Sequence, residues 1–326
     1  MNYSTWCLWA EQTMLSGDVQ SPAHGAYVEL RDLISGRYPA RALKLSRRRR
    51  ALSVLAGPTK TNFRGRGIDF EEVRSYQSGD DIRTIDWRVT ARTGDAHTKL
   101  FREERERPVL VVVDQRNSMF FGSRYCFKSV LAAHLASLIA WSALDNGDRV
   151  GGLVFSDVEH REIRPKRSRR NVLTLLSEVA AYNHALPRAT PPVPDSFSQM
   201  LDKLRRIARP GSSLYLVSDF IGANSEAARE RLFELAKHTE MTALYCSDAL
   251  ENDLPRAGTY AVTDGSQRSE LNTADRTLRA RYAREQQEKQ AAIASTLQRL
   301  GIPLLSAATD ASPFRLLQTY YGEARR

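Results

Sequence analysis

The chain has 326 residues, 42% of them hydrophobic, and a formal net charge of +10; that is enough for one large domain with an appendage or for two ordinary domains. The surplus of base favours acidic partners, nucleic acid among them, and says nothing about the fold. Cys7, Cys126 and Cys246 are odd in number and far apart, which argues against a disulfide framework and thiolate zinc and fits a reducing cytoplasm.

In chain order, Met1 to Gln12 lacks the basic start and long apolar core of a signal peptide. Ser129 to Leu144, the most apolar later stretch, is too short to span a bilayer comfortably. A cytoplasmic protein with no membrane span is expected. Residues 1–60 read as a basic, helical N-terminal extension, with a helix over Ala26 to Leu33. Arg41, Lys44 and Arg47 to Arg50 form a first basic cluster, read as a solvated helix or linker.

Residues 61–107 change to short strand-like runs. Gly65 and Gly67 precede Ile68-Asp69-Phe70, and Gln77-Ser78-Gly79-Asp80-Asp81 signals a turn. Ile85 to Val89 and Thr98 to Phe101 alternate like half-buried strands. Arg74, Tyr76, Asp80, Asp81, Arg83, Asp86, Trp87 and Arg92 are assigned to a structural network. Arginines interleave with carboxylates there in almost equal number, and no nucleophile, histidine base or phosphate loop accompanies them.

From residue 108 to 326 strands and helices alternate. Val109 to Val113 reads as a fully buried parallel strand. It ends in Asp114, and the loop beyond carries Arg116, Asn117 and Ser118. A helix over Arg124 to Leu144 leads to strand Arg149 to Phe155 and an edge strand over Val158 to Arg164. Arg161, Arg164, Lys166, Arg167, Arg169 and Arg170 form a second basic cluster. Then come helix Asn171 to Ala181, a proline-rich loop over Pro187 to Pro194, and helix Phe197 to Ala208. Strand Ser213 to Val217 runs into Ser218-Asp219-Phe220. Helix Ser225 to His238, strand Met241 to Cys246, a less regular piece over Gly258 to Asp264 and a charged helix over Asn272 to Leu300 follow. Strand Pro303 to Ala307 and helix Pro313 to Tyr321 complete the series.

This alternation predicts an α/β fold with a doubly wound, mostly parallel sheet. Ligands of such sheets sit at the carboxyl ends of the strands, which places Asp114 and Asp219 for binding. No G-x-x-x-x-G-K-[ST], G-x-G-x-x-G or G-x-S-x-G occurs, and the six histidines never approach metalloprotease spacing. A non-enzyme is expected. A hydrolase using Asp114 and Asp219 ranks last, because two carboxylates without nucleophile or base are more often ligands or salt-bridge partners.

Two resemblances sharpen this reading. Asp114-Gln115-Arg116-Asn117-Ser118, with Asp219 after a later strand, resembles the D-x-S-x-S metal-ion-dependent adhesion site of von Willebrand factor A domains, and so implies a Rossmann-like sheet of that type. By that resemblance Asp114 and Ser118 match the first and third motif positions, Asp219 matches the aspartate of a later loop, and Asp195 or Ser196 matches the threonine before a helix. Asp114, Ser118 and Asp219 would then hold magnesium, completed by a partner's acidic side chain. Arg116 replaces the middle serine, and a guanidinium beside these carboxylates repels a divalent cation. The site is therefore expected to be degenerate, with magnesium weak or absent, no other cofactor, and Arg116 presenting its donors to an acidic partner residue.

The ordered series Gly65-Arg66-Gly67-Ile68-Asp69-Phe70, Arg74-Ser75-Tyr76, Gly79-Asp80-Asp81-Ile82-Arg83, Ile85-Asp86-Trp87 and Ala91-Arg92, followed by the central strand, is similar to the family called domain of unknown function 58. Its members usually accompany MoxR-type AAA+ ATPases. The resemblance implies an adaptor that binds such an ATPase and an acidic client during protein assembly or maturation. The alternative is a nucleic-acid-binding protein using the arginine clusters, although stacking aromatics are not interleaved with them.

Overall fold

The computed structural model describes residues 20–45, 69–77, 85–102, 108–187, 193, 195–255, 257–263 and 268–322. The chain forms two compact units, one of residues 1–59 and 108–326 and a smaller one of residues 60–107.

The larger unit opens with two short helices, α1 (Leu30–Ser35) and α2 (Arg37–Ala40). In the smaller unit, β1 (Asp69–Ser75) and β2 (His97–Arg102) pair antiparallel, with α3 (Trp87–Thr93) between them in sequence. Ile85 to Val89 was expected as a strand; only Ile85 bridges Thr98, and the chain turns helical at Trp87. The reason is local. The Asp86 carboxylate accepts from the Arg88 and Val89 amides at 3.0 and 3.2 Å, which caps a helix start. Gly94, at φ 86°, ends it. Trp87 is 68% exposed and Arg92 is exposed, so neither is buried in the expected network. Tyr76 is half-buried. Asp80, Asp81, Arg83, the Arg74 side chain, Arg47 to Arg50 and most of the proline-rich loop lie outside the described residues.

The rest of the larger unit runs β3 (Pro108–Asp114), α4 (Lys128–Asp145), β4 (Arg149–Phe155), β5 (His160–Lys166), α5 (Arg169–His184), α6 (Ser196–Ile207), β6 (Ser213–Ser218), α7 (Glu226–His238), β7 (Glu240–Ser247), α8 (Ala249–Asn252), β8 (Thr259–Thr263), β9 (Arg268–Asn272), α9 (Arg276–Arg299), β10 (Leu304–Ala308) and α10 (Pro313–Tyr321). Six strands form one sheet in the order β10-β7-β6-β3-β4-β5. All neighbours are parallel except β5, which lies antiparallel to β4 at the edge. This is the doubly wound, mostly parallel α/β sheet that the strand–helix alternation predicts. The piece over Gly258 to Asp264, expected as irregular, begins an antiparallel hairpin of β8 and β9.

The β-branched run of β3 is buried on both faces because helices cover both. Val109, Val111 and Val113 pack with α4, α5 and α10, while Leu110 and Val112 pack with α6, α7 and the end of α9. Gly152 lets β4 close on β3, since a Cβ there would lie 2.0 Å from the Val111 carbonyl oxygen. Residues 20–45 contribute side chains to this core. Val28, Leu33, Leu43 and Leu45 are buried against the α4 side. Trp141 Nε1 donates to the Leu33 carbonyl at 3.0 Å, and Ser142 Oγ to that of Leu43 at 3.0 Å. The helix expected over Ala26 to Leu33 begins only at Leu30. Among the described residues no helix is long and apolar enough to cross a membrane.

After β3 the chain first adds β4 and β5 on one side, then returns to add β6 on the other. The strand order reverses between β3 and β6, the position at whose carboxyl ends such sheets bind their ligands.

Candidate functional site: a buried chain of charges

Val113 pairs with Val217, so β3 and β6 end side by side, with Asp114 on one and Ser218-Asp219 on the other. The Ser218 hydroxyl donates to Asp114 Oδ2 at 2.6 Å, and the Arg116 amide donates to Asp114 Oδ1 at 3.0 Å. Arg116 then folds back over the strand end. Its Nε donates to both Asp114 oxygens at 3.0 Å, and its Nη2 to Asp114 Oδ2 at 2.7 Å and Asp219 Oδ1 at 3.2 Å. Its Nη1 donates to the Ile221 carbonyl at 3.0 Å and reaches Ser196 Oγ at 3.5 Å. The guanidinium lies 5.6 Å from the Phe155 ring centroid and 5.4 Å from that of Phe197, within cation–π range of both.

Arg116 is only 4% exposed. The expectation that it offers donors to an acidic partner is therefore corrected: all five of its side-chain N–H groups face acceptors of this chain. The two carboxylates outcompete a solvent-side partner because a buried cation needs compensation where the dielectric is low.

Sequence reasoning missed the second cation. Lys128, at the first position of α4 and 1% exposed, donates to Asp219 Oδ2 at 3.2 Å and Glu251 Oε1 at 2.5 Å. Glu251 in turn accepts the Asp248 amide through Oε2 at 3.0 Å, closing a capping box around α8. The result is an alternating series, Asp114–Arg116–Asp219–Lys128–Glu251, linking β3, α4, β6 and α8. One signal in the sequence pointed to Lys128: a lone lysine opening an otherwise apolar helix. Nothing local pointed to Glu251.

The two aspartates are driven apart electrostatically. Burial pushes the Asp114 carboxyl up, against the pull of Arg116 and with the help of Asp219's charge. Burial acts on Asp219 in the same sense, yet Lys128 and Arg116 outweigh it and hold that carboxyl below its ordinary value. For Arg116 and Lys128, burial opposes the charge and the carboxylates more than restore it.

The remaining expected residues divide. The Ser118 hydroxyl is buried beside Asp219, close enough to favour its ionised form but outside hydrogen-bond geometry. Ser196 touches Arg116, whereas Asp195 is exposed and precedes α6 in a left-handed conformation, φ 59°, without a capping bond. Phe220, immediately after Asp219, is also left-handed at φ 57°. That backbone is strained for a bulky side chain and is pinned by the Phe220 amide donating to Ser218 Oγ at 2.9 Å.

This donor set does not fit magnesium, which requires several oxygen ligands in near-octahedral array. The Asp114 and Asp219 oxygens already accept from Arg116, Lys128, Ser218 and backbone amides. Among the described residues no cluster of three or more His, Cys, Asp or Glu side chains is disposed to hold a metal.

The family described as "Protein of unknown function DUF58" matches residues 72–292. Uncharacterized proteins of Mycobacterium tuberculosis and Mycobacterium bovis are 29% identical over 299 residues, covering 91% of this chain and 89% of theirs. Among solved structures, the conserved hypothetical protein BatB of Bacteroides thetaiotaomicron is 14% identical, with a TM-score of 0.33 over 60% of this chain and 98% of its own. An aerotolerance-related membrane protein of Bacteroides fragilis is 13% identical, with a TM-score of 0.39 over 64% of this chain and 94% of its own.

Proposed function

The chain belongs to the DUF58 family, and from that premise we propose that it is a non-enzymatic protein-binding module acting without a bound divalent cation. Its setting is the cytoplasm, where it serves a MoxR-type AAA+ ATPase in the assembly or maturation of client proteins. The observation that carries this reading is the closure of the switch point by the chain's own cations. Asp114 and Asp219, at the ends of the two strands that flank the switch point, bind Arg116 and Lys128 instead of facing a substrate. A group held in two or more charge-assisted bonds and shut off from water is poorly placed to move protons for a reaction.

The loops at the strand ends also expose apolar side chains among their polar ones. Phe121 and Tyr125 follow β3, Val158 follows β4 and Ile221 follows β6, the last two more than half exposed. Loops at the end of a rigid sheet that carry such side chains suit contact with another protein. The test is co-purification from a host that co-expresses a MoxR-type AAA+ ATPase. Tagged wild type should retain the ATPase, and Ile221→Asp with Val158→Asp should lose it while melting at an unchanged temperature. An ATPase retained equally by both, or by neither, would overturn this reading.

A further inference from the structure

Arg116 and Lys128 keep their charge inside, so the chain's cationic surface lies elsewhere. Among the described residues, one exposed basic cluster lies where β5 turns into α5. Arg164 and Lys166 lie on β5, Arg167 lies in the link, and Arg169 and Arg170 begin α5; all five are exposed. Backbone contacts fix this corner. Asn171 Nδ2 donates to the Val150 and Arg164 carbonyls at 2.7 and 3.0 Å, stitching the start of the helix to β4 and to the edge strand β5. Arg149 Nη2 donates to the Pro165 carbonyl at 3.3 Å. Gly151 allows the strands to close, because a Cβ there would lie 2.4 Å from the Ile163 carbonyl oxygen.

Charges, a proline and a bulge are also how a sheet edge avoids sticking to other sheets, and β5 with β4 has all three. Edge protection does not account for the helix. Arg169 and Arg170 occupy its first two positions, where the helix dipole disfavours cations. No acidic residue stands in that turn, and Ser168 makes no capping side-chain bond. A local rule broken on a rigid surface marks a functional demand. Arg161, at the far end, is matched by Glu178 at 3.5 Å. Among the described residues Arg164, Lys166, Arg169 and Arg170 form no such ion pair.

We infer that this corner docks a short acidic segment of a partner protein; the inference rests on the protein-binding reading and moves the acidic contact from the switch point to the sheet edge. Exposed Glu159 and Glu162 border the patch and limit its length, which disfavours the extended run of phosphates that duplex binding uses. Residues 159–170 include no Phe, Tyr or Trp on which single-stranded bases could stack. Pro165 and the irregular register between Val150 and Gly152 interrupt the ladder that strand addition would need. Recognition then falls to carboxylate–guanidinium pairs.

The test uses the full chain and a fluorescein-labelled decapeptide of alternating Glu and Asp, followed by anisotropy at low and physiological salt. The wild type should bind, and more weakly as salt rises. Arg169→Glu with Arg170→Glu should weaken binding roughly tenfold or more, and Arg164→Gln with Lys166→Gln should weaken it in the same direction. The control Arg209→Glu with Arg284→Glu changes net charge as much as the first pair and should leave affinity within about twofold. The first pair should melt at or above the wild-type temperature, because acids suit that helix start; loss of binding is then not loss of fold. Absence of peptide binding, an equal loss in the control, or tighter binding of a DNA oligonucleotide of the same charge would each overturn the inference. ATPase co-purification is read separately, so either result can fail while the other stands.

Discussion

Arg116 shows how one side chain can redirect a site. Its position in the sequence places a guanidinium among carboxylates, but not which way it points. The folded chain turns it inward because Asp114, Asp219 and the Ile221 carbonyl supply a complete set of acceptors between two aromatic rings. Removing it leaves Asp114 buried without its cation, so Arg116→Ala should cost about 3–5 kcal/mol in urea or thermal unfolding, the usual penalty for breaking a buried pair. Acid titration separates the two aspartates. Asp219 is held below the ordinary 3.8, so its contribution to stability is fully present above that value and is lost as pH falls through the lower, folded one. The stability gap between wild type and Asp219→Asn should therefore narrow on acidification below pH ~4, measured by urea unfolding. A constant gap would contradict the assigned pairing. The two aspartates could be singled out in the sequence because each follows a buried strand. Lys128 was marked only as a lone lysine opening an apolar helix, and Glu251 not at all, because their encounter depends on how α4 and α8 pack around the end of β6.

At the scale of elements, the sequence predicts best where burial dictates residue type. The run Val109–Val113 announces β3, and the helices flanking it follow from length and apolar spacing. The misreadings lie where a single polar contact decides. Asp86 caps α3 and overrides the alternation of Ile85 to Val89, and the β8–β9 hairpin forms from a stretch without clear apolar periodicity. Sheet closure makes its own demand. The Val111 carbonyl oxygen occupies the space where a side chain at position 152 would start, so Gly152→Ala must push β3 and β4 apart. That variant should lose cooperative unfolding or fail to accumulate in soluble form, whereas Gly211→Ala, with open space but φ 83°, should cost only about 1 kcal/mol in the same urea assay.

At the scale of the whole molecule, positive charge divides into two uses. Arg116 and Lys128 act inside, where they neutralise the carboxylates that the adhesion-site resemblance would assign to magnesium, while the β5–α5 corner carries charge outside. The N-terminal residues 20–45 belong to the same core as the sheet, although their weak periodicity gave no hint of it; their apolar side chains are too sparse to form a pattern until α4 supplies the opposite face. The central claim is that internal cations stand in place of the metal. A magnesium titration followed by thermal unfolding tests it most directly. The account predicts a flat response in the wild type and a magnesium-dependent rise in melting temperature in Arg116→Ser, where a hydroxyl replaces the guanidinium. A magnesium-dependent rise in the wild type that disappears in Asp114→Ala would contradict it.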